Sequence, residues 1–213
     1  MRVIVLGANG QLGREVVRHI AAQGHKVTAF VRRLANGVID NTVGIRVGDA
    51  RTQEDLIAAL PGHDVVVNAI GSGTLRKNDV ESSTTAVAVA AAQKVGISRY
   101  IAMSAGMVEL GWPLFKYVFL PLIFRNILAE HRRVEEIVRV SALSWTIVRP
   151  PKLTNGPPRG YVASLKLQPK SFSIARADVA AFIADELRDG KLCQARRSSV
   201  RSLLPARRTS NAR

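Results

Sequence analysis

Length, composition and charge restrict what this chain can be. Its 213 residues, 47% of them hydrophobic, are enough for one substantial core, so a single domain is expected. One cysteine, Cys193, excludes an internal disulfide framework and suits a reducing cytoplasm. The formal net charge of +15 suggests nucleic-acid binding, but seven Lys and Arg and no acidic residue fall in 191–213, which leaves +8 for the rest. The globular part is therefore only moderately basic.

The first strand and the turn behind it organise the rest of the chain. Residues 3–6 are four consecutive apolar residues, as in a strand buried on both faces of a parallel sheet. Glycines follow at every third position, and an amphipathic helix comes next. In such a unit they allow a tight turn, close approach of a pyrophosphate and close helix–sheet packing. A dinucleotide site is predicted here, the alternative being a tight turn without a ligand. The residues expected to contact the dinucleotide are Gly7, Asn9, Gly10, Gln11, Leu12 and Gly13.

The second predicted strand, residues 26–31, ends at Arg32 and Arg33. In this kind of fold an acidic residue here usually holds the ribose 2′-hydroxyl of NAD, whereas arginine can pair with the 2′-phosphate of NADP. No Asp or Glu occurs between Glu15 and Asp40. The sequence therefore favours NADP as the cofactor, and the alternative is that both arginines are ordinary solvated charges.

Four further strands are predicted, and their carboxyl ends should meet at one edge of a parallel sheet. These strands cover residues 44–47, 65–71, 99–103 and 144–148. Open parallel sheets bind ligands at that edge, so residues just beyond each strand are site candidates. Asp49 could accept a hydrogen bond from an adenine amino group or cap the next helix. Ser104 is a candidate by position, and Pro150 and Pro151 leave carbonyl groups that suit a carboxamide.

These motifs together resemble those of the atypical short-chain dehydrogenases. The resemblance rests on residues 7–13, 32–33, 48–49, 68–71, 103–105 and 145–151. Within that family the chain is most similar to the NAD(P)H-binding, NmrA-like proteins that include the flavin reductase and biliverdin-IXβ reductase group. The resemblance covers roughly residues 1–188. With the alternation of strands and helices, it leads us to expect an α/β fold, a single-domain, doubly wound Rossmann fold with a mostly parallel sheet.

The resemblance also implies where a bound dinucleotide would lie. By it, Asp49 is near adenine, and Ser104, Pro150 and Pro151 are near nicotinamide. The residues that it places near the adenosine ribose are Ala69, Ile70 and Gly71.

The chain departs from most short-chain dehydrogenases in its acid–base residues. Those enzymes use a Tyr-x-x-x-Lys pair, in which the lysine lowers the phenol pKa. Here none of Tyr100, Tyr117 and Tyr161 is followed by lysine four residues later. Alcohol oxidation by that mechanism is therefore not expected, whereas a reductase whose acceptor takes its proton from water fits.

Residues 107–126 are rich in apolar and aromatic side chains, including Trp112, Phe115 and Tyr117. The run is too short and too interrupted for a membrane span, which needs about 20 apolar residues. It could be a lid that presents an aromatic face to a flat acceptor, or a core-filling segment, or a dimer contact.

A helix is predicted over residues 127–141, with His131 on its apolar stripe. A histidine there is either a satisfied core residue or, as related reductases imply, a general acid or substrate contact. Glu135, one turn later, could pair with His131 or Arg139 on a solvated face. No Cys/His grouping has the spacing of a metal site.

The remaining sequence is predicted as a loop over 152–172 and a last helix over 179–187, with Asp178 near its N-terminus. We expect an NAD(P)-binding domain over 1–190 and a basic, disordered tail over 191–213. A solvated tail is preferred over nucleic-acid or anionic-surface contact. We expect no signal peptide before the first strand, because Met1 is followed almost at once by the glycine turn, and we therefore predict a cytoplasmic protein, either monomer or dimer.

The function that these features favour is an NADPH-dependent reductase. It would transfer hydride to a flat conjugated acceptor such as a flavin, quinone or tetrapyrrole. The alternative is a non-catalytic regulator that senses the NADP pool, because the Tyr-x-x-x-Lys pair is missing and the tail is basic.

Overall fold

A mostly parallel β-sheet with helices on both faces forms the centre of the molecule. The computed structural model describes residues 1–34, 43–71, 78–106, 120–164, 173–188 and 199–205. The strands in these ranges are β1 (Arg2–Leu6), β2 (Lys26–Val31), β3 (Gly44–Val47), β4 (Val65–Asn68), β5 (Arg99–Met103), β6 (Ser144–Arg149), β7 (Lys152–Thr154), β8 (Tyr161–Ser164), β9 (Ser173–Ala175) and β10 (Ser199–Pro205). The helices are α1 (Gln11–Ala22), α2 (Gln53–Ala59), α3 (Val80–Lys94), α4 (Leu120–Val140) and α5 (Arg176–Arg188).

The strand order places the first strand at the point where the sheet changes direction. The order is β3-β2-β1-β4-β5-β6-β10-β8, and Val3 pairs with Val27 on one side and Val65 on the other. The paired strands run parallel except β8, which is antiparallel to β10. The chain runs outward from β1 to β3 and then returns to β4, so the turn after β1 lies at a topological switch point. This topology confirms the predicted doubly wound Rossmann fold.

The sheet is buried on both faces because its strands carry apolar residues at successive positions. Val3 and Val5 of β1 pack into the cluster formed with α1 and α5. Ile4 and Leu6 point the other way, into the cluster formed with α2, α3 and α4. All four side chains are fully buried. The run of four apolar residues is therefore the sequence counterpart of a two-sided core.

The segment expected to be a loop, residues 152–172, contains two short strands. β7 pairs in parallel with β9, and β8 pairs antiparallel with β10. Both partners lie later in the chain, so the pairing has no local signal. The expectation of a continuous loop is wrong for residues 152–154 and 161–164.

Part of the predicted disordered tail belongs to the sheet. β10 lies between β6 and β8, with Ser199 opposite Thr146, and the Leu203 side chain is fully buried. This strand covers the backbone donors and acceptors that β6 would otherwise leave unpaired at a sheet edge. The expectation of disorder is therefore wrong for residues 199–205. Composition predicted disorder because Arg and Ser surround the few apolar residues of this strand.

The helix predicted over 127–141 begins earlier, at Leu120. Pro121 fits this start, since the first turn of a helix does not need the proline N–H. Most of the aromatic segment, residues 107–119, lies outside the described residues. In the described part of the chain no helix is long and apolar enough to cross a membrane.

Candidate functional site

The glycine turn is built so that only glycine fits at its first and last positions. Gly7 has φ +76°, a left-handed conformation that other residues rarely adopt. A Cβ on Gly13 would lie 2.2 Å from the Gly7 carbonyl oxygen, which is far inside van der Waals contact. The Gly10 N–H donates to the same oxygen at 2.9 Å. The start of α1 is therefore held directly against the end of β1.

Among the described residues, no side chain caps the N-terminus of α1. Gly10 stands at the N-cap in an extended conformation with no side-chain cap, and the first turn contains no acidic residue. Uncapped N–H groups and the positive end of the helix dipole favour an anion at this position. Gln11 is exposed, whereas Leu12 is only 8% exposed and packs into the core. Leu12 can therefore face a ligand only through its backbone.

Asn9 joins the glycine turn to the end of β2. Its Nδ2 donates to the Arg33 carbonyl oxygen at 2.9 Å. Its Oδ1 is buried, and no described residue donates to it. Arg32 and Arg33 are exposed immediately after β2. Two guanidinium groups therefore lie on a segment that Asn9 ties to the turn.

Asp49 makes a local turn and leaves its carboxylate exposed. Its Oδ1 accepts from the Arg51 N–H at 3.0 Å, and its own N–H donates to Asp55 Oδ2 at 2.7 Å. Asp49 therefore stabilises the turn before α2, but it does not cap that helix, because the N-cap is Thr52 and no described side chain bonds the first helical N–H groups. The side chain is exposed and remains available to a ligand.

The end of β4 packs directly beneath the glycine turn. A Cβ on Gly7 would lie 2.8 Å from Ile70 Cγ1, so Ile70 is in contact with the turn. Asn68 fixes this strand end by accepting from the Ile70 N–H at 3.1 Å and donating to the Tyr100 hydroxyl at 2.9 Å. Burial raises the pKa of Tyr100, so this phenol is not suited to transfer protons. Ala69 and Gly71 flank Ile70 at the same sheet edge.

Ser104 lies in a buried polar group that the sequence analysis did not predict, here called the Ser104 cluster: Ser104, Glu135 and Arg149. The Ser104 hydroxyl donates to Glu135 Oε1 at 2.8 Å. Arg149 holds the same carboxylate at both oxygens, with Nε 2.7 Å from Oε1 and Nη2 2.6 Å from Oε2. The three residues are only 5–6% exposed. Ser104 directly follows β5, Glu135 lies in α4, and Arg149 is the last residue of β6.

The Glu135 carboxylate is ionised in this cluster. Burial by itself would raise its pKa, but hydrogen bonds from Arg149 and Ser104 and the positive charge of Arg149 outweigh burial and lower it. Arg139 adds a contact at 3.3 Å, as predicted, but the predicted solvated face is wrong because Glu135 is 5% exposed. Helical spacing gave one usable signal, since Glu135 lies four residues after His131, which is on the predicted apolar stripe.

His131 faces α3. Its Nδ1 lies 3.2 Å from Glu81 Oε2, close enough for an ion pair when the imidazole is protonated, although the geometry is not that of a hydrogen bond. Both side chains are mostly buried. Glu81 also lies beside the β4 end, where a Cβ on Gly71 would be 3.8 Å from Glu81 Oε1. His131 is therefore near the candidate edge, and its partner is Glu81, which the sequence analysis did not consider.

The end of β6 is fastened to the end of β5. The Val148 carbonyl accepts from the Ser104 N–H at 2.8 Å, and the Pro150 carbonyl accepts from the Gly106 N–H at 2.7 Å. The Pro150 carbonyl, predicted to suit a carboxamide, thus already accepts one hydrogen bond and has one lone pair left. Pro151 is half-buried beside it. Ser104 and Pro150 therefore belong to one rigid pair of strand ends.

The described elements place a glycine turn, a basic strand end and a buried serine along one edge of the sheet. Residues 7–190 match the model of a protein family described as NAD(P)H-binding. The chain belongs to this NAD(P)H-binding family. Membership confirms the resemblance inferred from the sequence motifs.

Three solved structures share the fold. A putative NAD-dependent epimerase/dehydratase from Bacillus halodurans is 29% identical, with a TM-score of 0.79 over 97% of this chain and 94% of that one. ChuY, an anaerobilin reductase from Escherichia coli O157:H7, is 23% identical, with a TM-score of 0.74 over 96% and 97%. SP1627, a putative NADH-flavin reductase from Streptococcus pneumoniae, is 23% identical, with a TM-score of 0.74 over 97% and 100%. The last two likenesses establish the fold alone.

Proposed function

We propose that this member of the NAD(P)H-binding family is an NADPH-dependent reductase of a flat conjugated acceptor such as a flavin, quinone or tetrapyrrole. The observation that carries the proposal is the Ser104 cluster. This cluster places a polar group at the strand ends, but its only carboxylate is ion-paired with Arg149 and is therefore not suited to transfer protons. An epimerase or dehydratase must move protons on its substrate, whereas hydride transfer to a conjugated acceptor can draw its proton from water.

The glycine turn and the strand ends fit an extended dinucleotide. Gly10 and the uncapped α1 N-terminus suit the pyrophosphate, and Ile70 and Gly71 flank the turn where the adenosine ribose is expected. Three strand spacings separate β1 from β6, about 14 Å, so the Ser104–Pro150 end lies well away from the turn. When bound, NADPH would supply the hydride, and these residues would bind and orient it.

The preference for NADPH rests on Arg32 and Arg33. They are exposed directly after β2, and Asn9 ties their backbone to the glycine turn. Arginine can hold a phosphate through two parallel hydrogen bonds, which a 2′-hydroxyl does not match. Asp49 remains the proposed neighbour of adenine, through an exposed carboxylate.

The acceptor class is supported by the sequence and by the fold. Trp112, Phe115 and Tyr117 lie in an aromatic segment outside the described residues, and we propose that this segment contacts the acceptor. ChuY and SP1627 share the fold, and their names specify reduction of a bilin and a flavin. His131 is the proposed general acid or substrate contact, and Glu81 Oε2 lies 3.2 Å from its Nδ1.

The test is NADPH oxidation against a panel of flavins, quinones and tetrapyrroles. Ser104→Ala and His131→Ala should lower turnover, and general acid assistance by His131 is worth about 10²–10⁴-fold. His63→Ala is the matched control, because His63 precedes β4 at the opposite end of that strand and bonds Thr28 and Leu60. Absence of turnover with every acceptor would contradict the reductase proposal. Unchanged kinetics in both variants would contradict the proposed site.

A second candidate is a regulator that binds NADP(H) without turnover. It is favoured by the missing Tyr-x-x-x-Lys pair and by the seven basic residues in 191–213. Because β10 is part of the sheet, removing the whole tail would not test this cleanly. Truncation after Pro205 keeps the strand and removes three of the seven charges. NADPH binding without consumption, with weaker partner binding after this truncation, would favour the regulator.

A further inference from the structure

The hydroxyl of Ser104 has one hydrogen, and this hydrogen is already donated to Glu135. Ser104 Oγ donates to Glu135 Oε1 at 2.8 Å, and Arg149 bonds both oxygens of that carboxylate at 2.7 and 2.6 Å. Arg139 adds a contact to Oε2 at 3.3 Å. An ionised carboxylate is an acceptor only, so the shared hydrogen belongs to Ser104. The bidentate arginine keeps the carboxylate from turning away.

Because the hydrogen of Ser104 is donated to Glu135, only the lone pairs of Ser104 Oγ can bind a ligand. Within the ranges that the structure describes, no group donates a hydrogen bond to this oxygen. Ser104 N–H is held by the Val148 carbonyl, so the residue is fixed at the end of β5 as well as through its side chain. A serine hydroxyl in water can switch between donor and acceptor, and this one cannot without breaking the bond to Glu135.

We propose that Glu135 is a positioning residue that makes Ser104 a hydrogen-bond acceptor only. The group that Ser104 selects is therefore an N–H or O–H donor, and in the proposed reductase it is the carboxamide amino group of nicotinamide. This inference rests on the proposed function. A ligand that offers only a carbonyl oxygen at the same position would be disfavoured, because it would meet a lone pair.

A second serine in the chain provides a matched control. Ser82 Oγ donates to Glu130 Oε2 at 3.0 Å, and both residues are buried. This pair joins α3 to α4 and does not belong to the strand ends. Replacing Ser82 removes the same kind of bond at a position with no proposed role in binding.

The experiment compares the dissociation constants of NADP⁺ and its 3-acetylpyridine analogue, which keeps the carbonyl oxygen but has no amide N–H. The wild-type chain should bind NADP⁺ about three- to tenfold more tightly, the value of one uncharged hydrogen bond. In Ser104→Ala this preference should fall towards one. In Glu135→Gln the Gln oxygen would face Arg149, and the Gln amide N–H would donate to Ser104 Oγ. The Ser104 hydroxyl could then donate to a ligand carbonyl, so the preference for NADP⁺ should fall to one or below. Ser82→Ala should keep the wild-type preference.

The outcomes distinguish a failure of this inference from a failure of the proposed function. A preference unchanged in Ser104→Ala would overturn the inference alone, since the dinucleotide still binds. A wild-type chain that binds neither dinucleotide would overturn the proposed function and this inference with it. Thermal unfolding of each variant controls for misfolding. An unchanged preference in folded Glu135→Gln would overturn the role of Glu135. If that variant does not fold, an unchanged preference in Ser104→Ala, with Ser82→Ala as control, still overturns the inference.

Discussion

Replacing Gly13 by alanine is expected to weaken the fold, although alanine is the better helix former by about 1 kcal/mol. The added Cβ would lie 2.2 Å from the Gly7 carbonyl oxygen and 2.9 Å from Ala8 Cα, whereas ordinary contact begins near 3.4 Å. That oxygen already accepts from Gly10 N–H at 2.9 Å, so the turn cannot yield without losing a hydrogen bond. Overpacking costs about 1–3 kcal/mol and the hydrogen bond about 1 kcal/mol.

The net loss should be about 2 kcal/mol, because the gain in helix propensity offsets part of the clash. For a chain of this size, that corresponds to a fall in Tm of about 4–8 °C. Urea denaturation and thermal unfolding of Gly13→Ala measure it. The control is Gly10→Ala, whose Cβ would lie 3.1 Å from the same oxygen and whose backbone suits any residue.

Gly10→Ala should stay within about 1 kcal/mol of wild type in stability but lose affinity for NADPH, because its methyl group fills the approach of the pyrophosphate. The two glycines therefore separate folding from binding. An unchanged free energy of unfolding in Gly13→Ala would refute the packing argument. Undiminished NADPH affinity in Gly10→Ala would refute the pyrophosphate position.

Three further outcomes are expected. Arg32→Ala/Arg33→Ala should reduce NADPH affinity relative to NADH by about 10- to 100-fold, measured by titration with Arg51→Ala as control, and an unchanged ratio would contradict the phosphate assignment. Glu135→Gln should lower the free energy of unfolding by about 3–5 kcal/mol at pH 7, because it removes the negative charge that faces the buried Arg149 guanidinium. The folded pKa of Glu135 lies below the ordinary value of 4.5, so this stabilisation is present above that pH and is lost as pH falls through the folded pKa. Urea denaturation at a series of pH values from 7 downwards tests this. Removing β10 and everything after it should lower Tm, whereas truncation after Pro205 keeps the strand and should keep Tm. Equal Tm values for the two truncated chains would contradict a stabilising role for β10.

Sequence alone determined the central parallel strands, the glycine turn and the helix behind it. These follow from signals within a few residues: four apolar residues for a two-sided strand, glycine at every third position for the turn, and helical spacing for the amphipathic face. The arginines after β2 also stand where the pattern predicts, because a strand end is a local property. The right-handedness of parallel connections then restricts the possible strand orders.

Tertiary structure alone decided the chemistry around Ser104. Glu135 is 31 residues from Ser104 and 14 from Arg149, so no local pattern joins them. Read along its helix, Glu135 seemed a surface charge, and only the packing of α4 against β5 and β6 buries it beside a guanidinium. β10 likewise depends on β6, which lies more than 50 residues earlier. A buried charge or an added strand is stable only when it contacts a partner that is distant in sequence. Sequence patterns within one element do not indicate which residue that partner is.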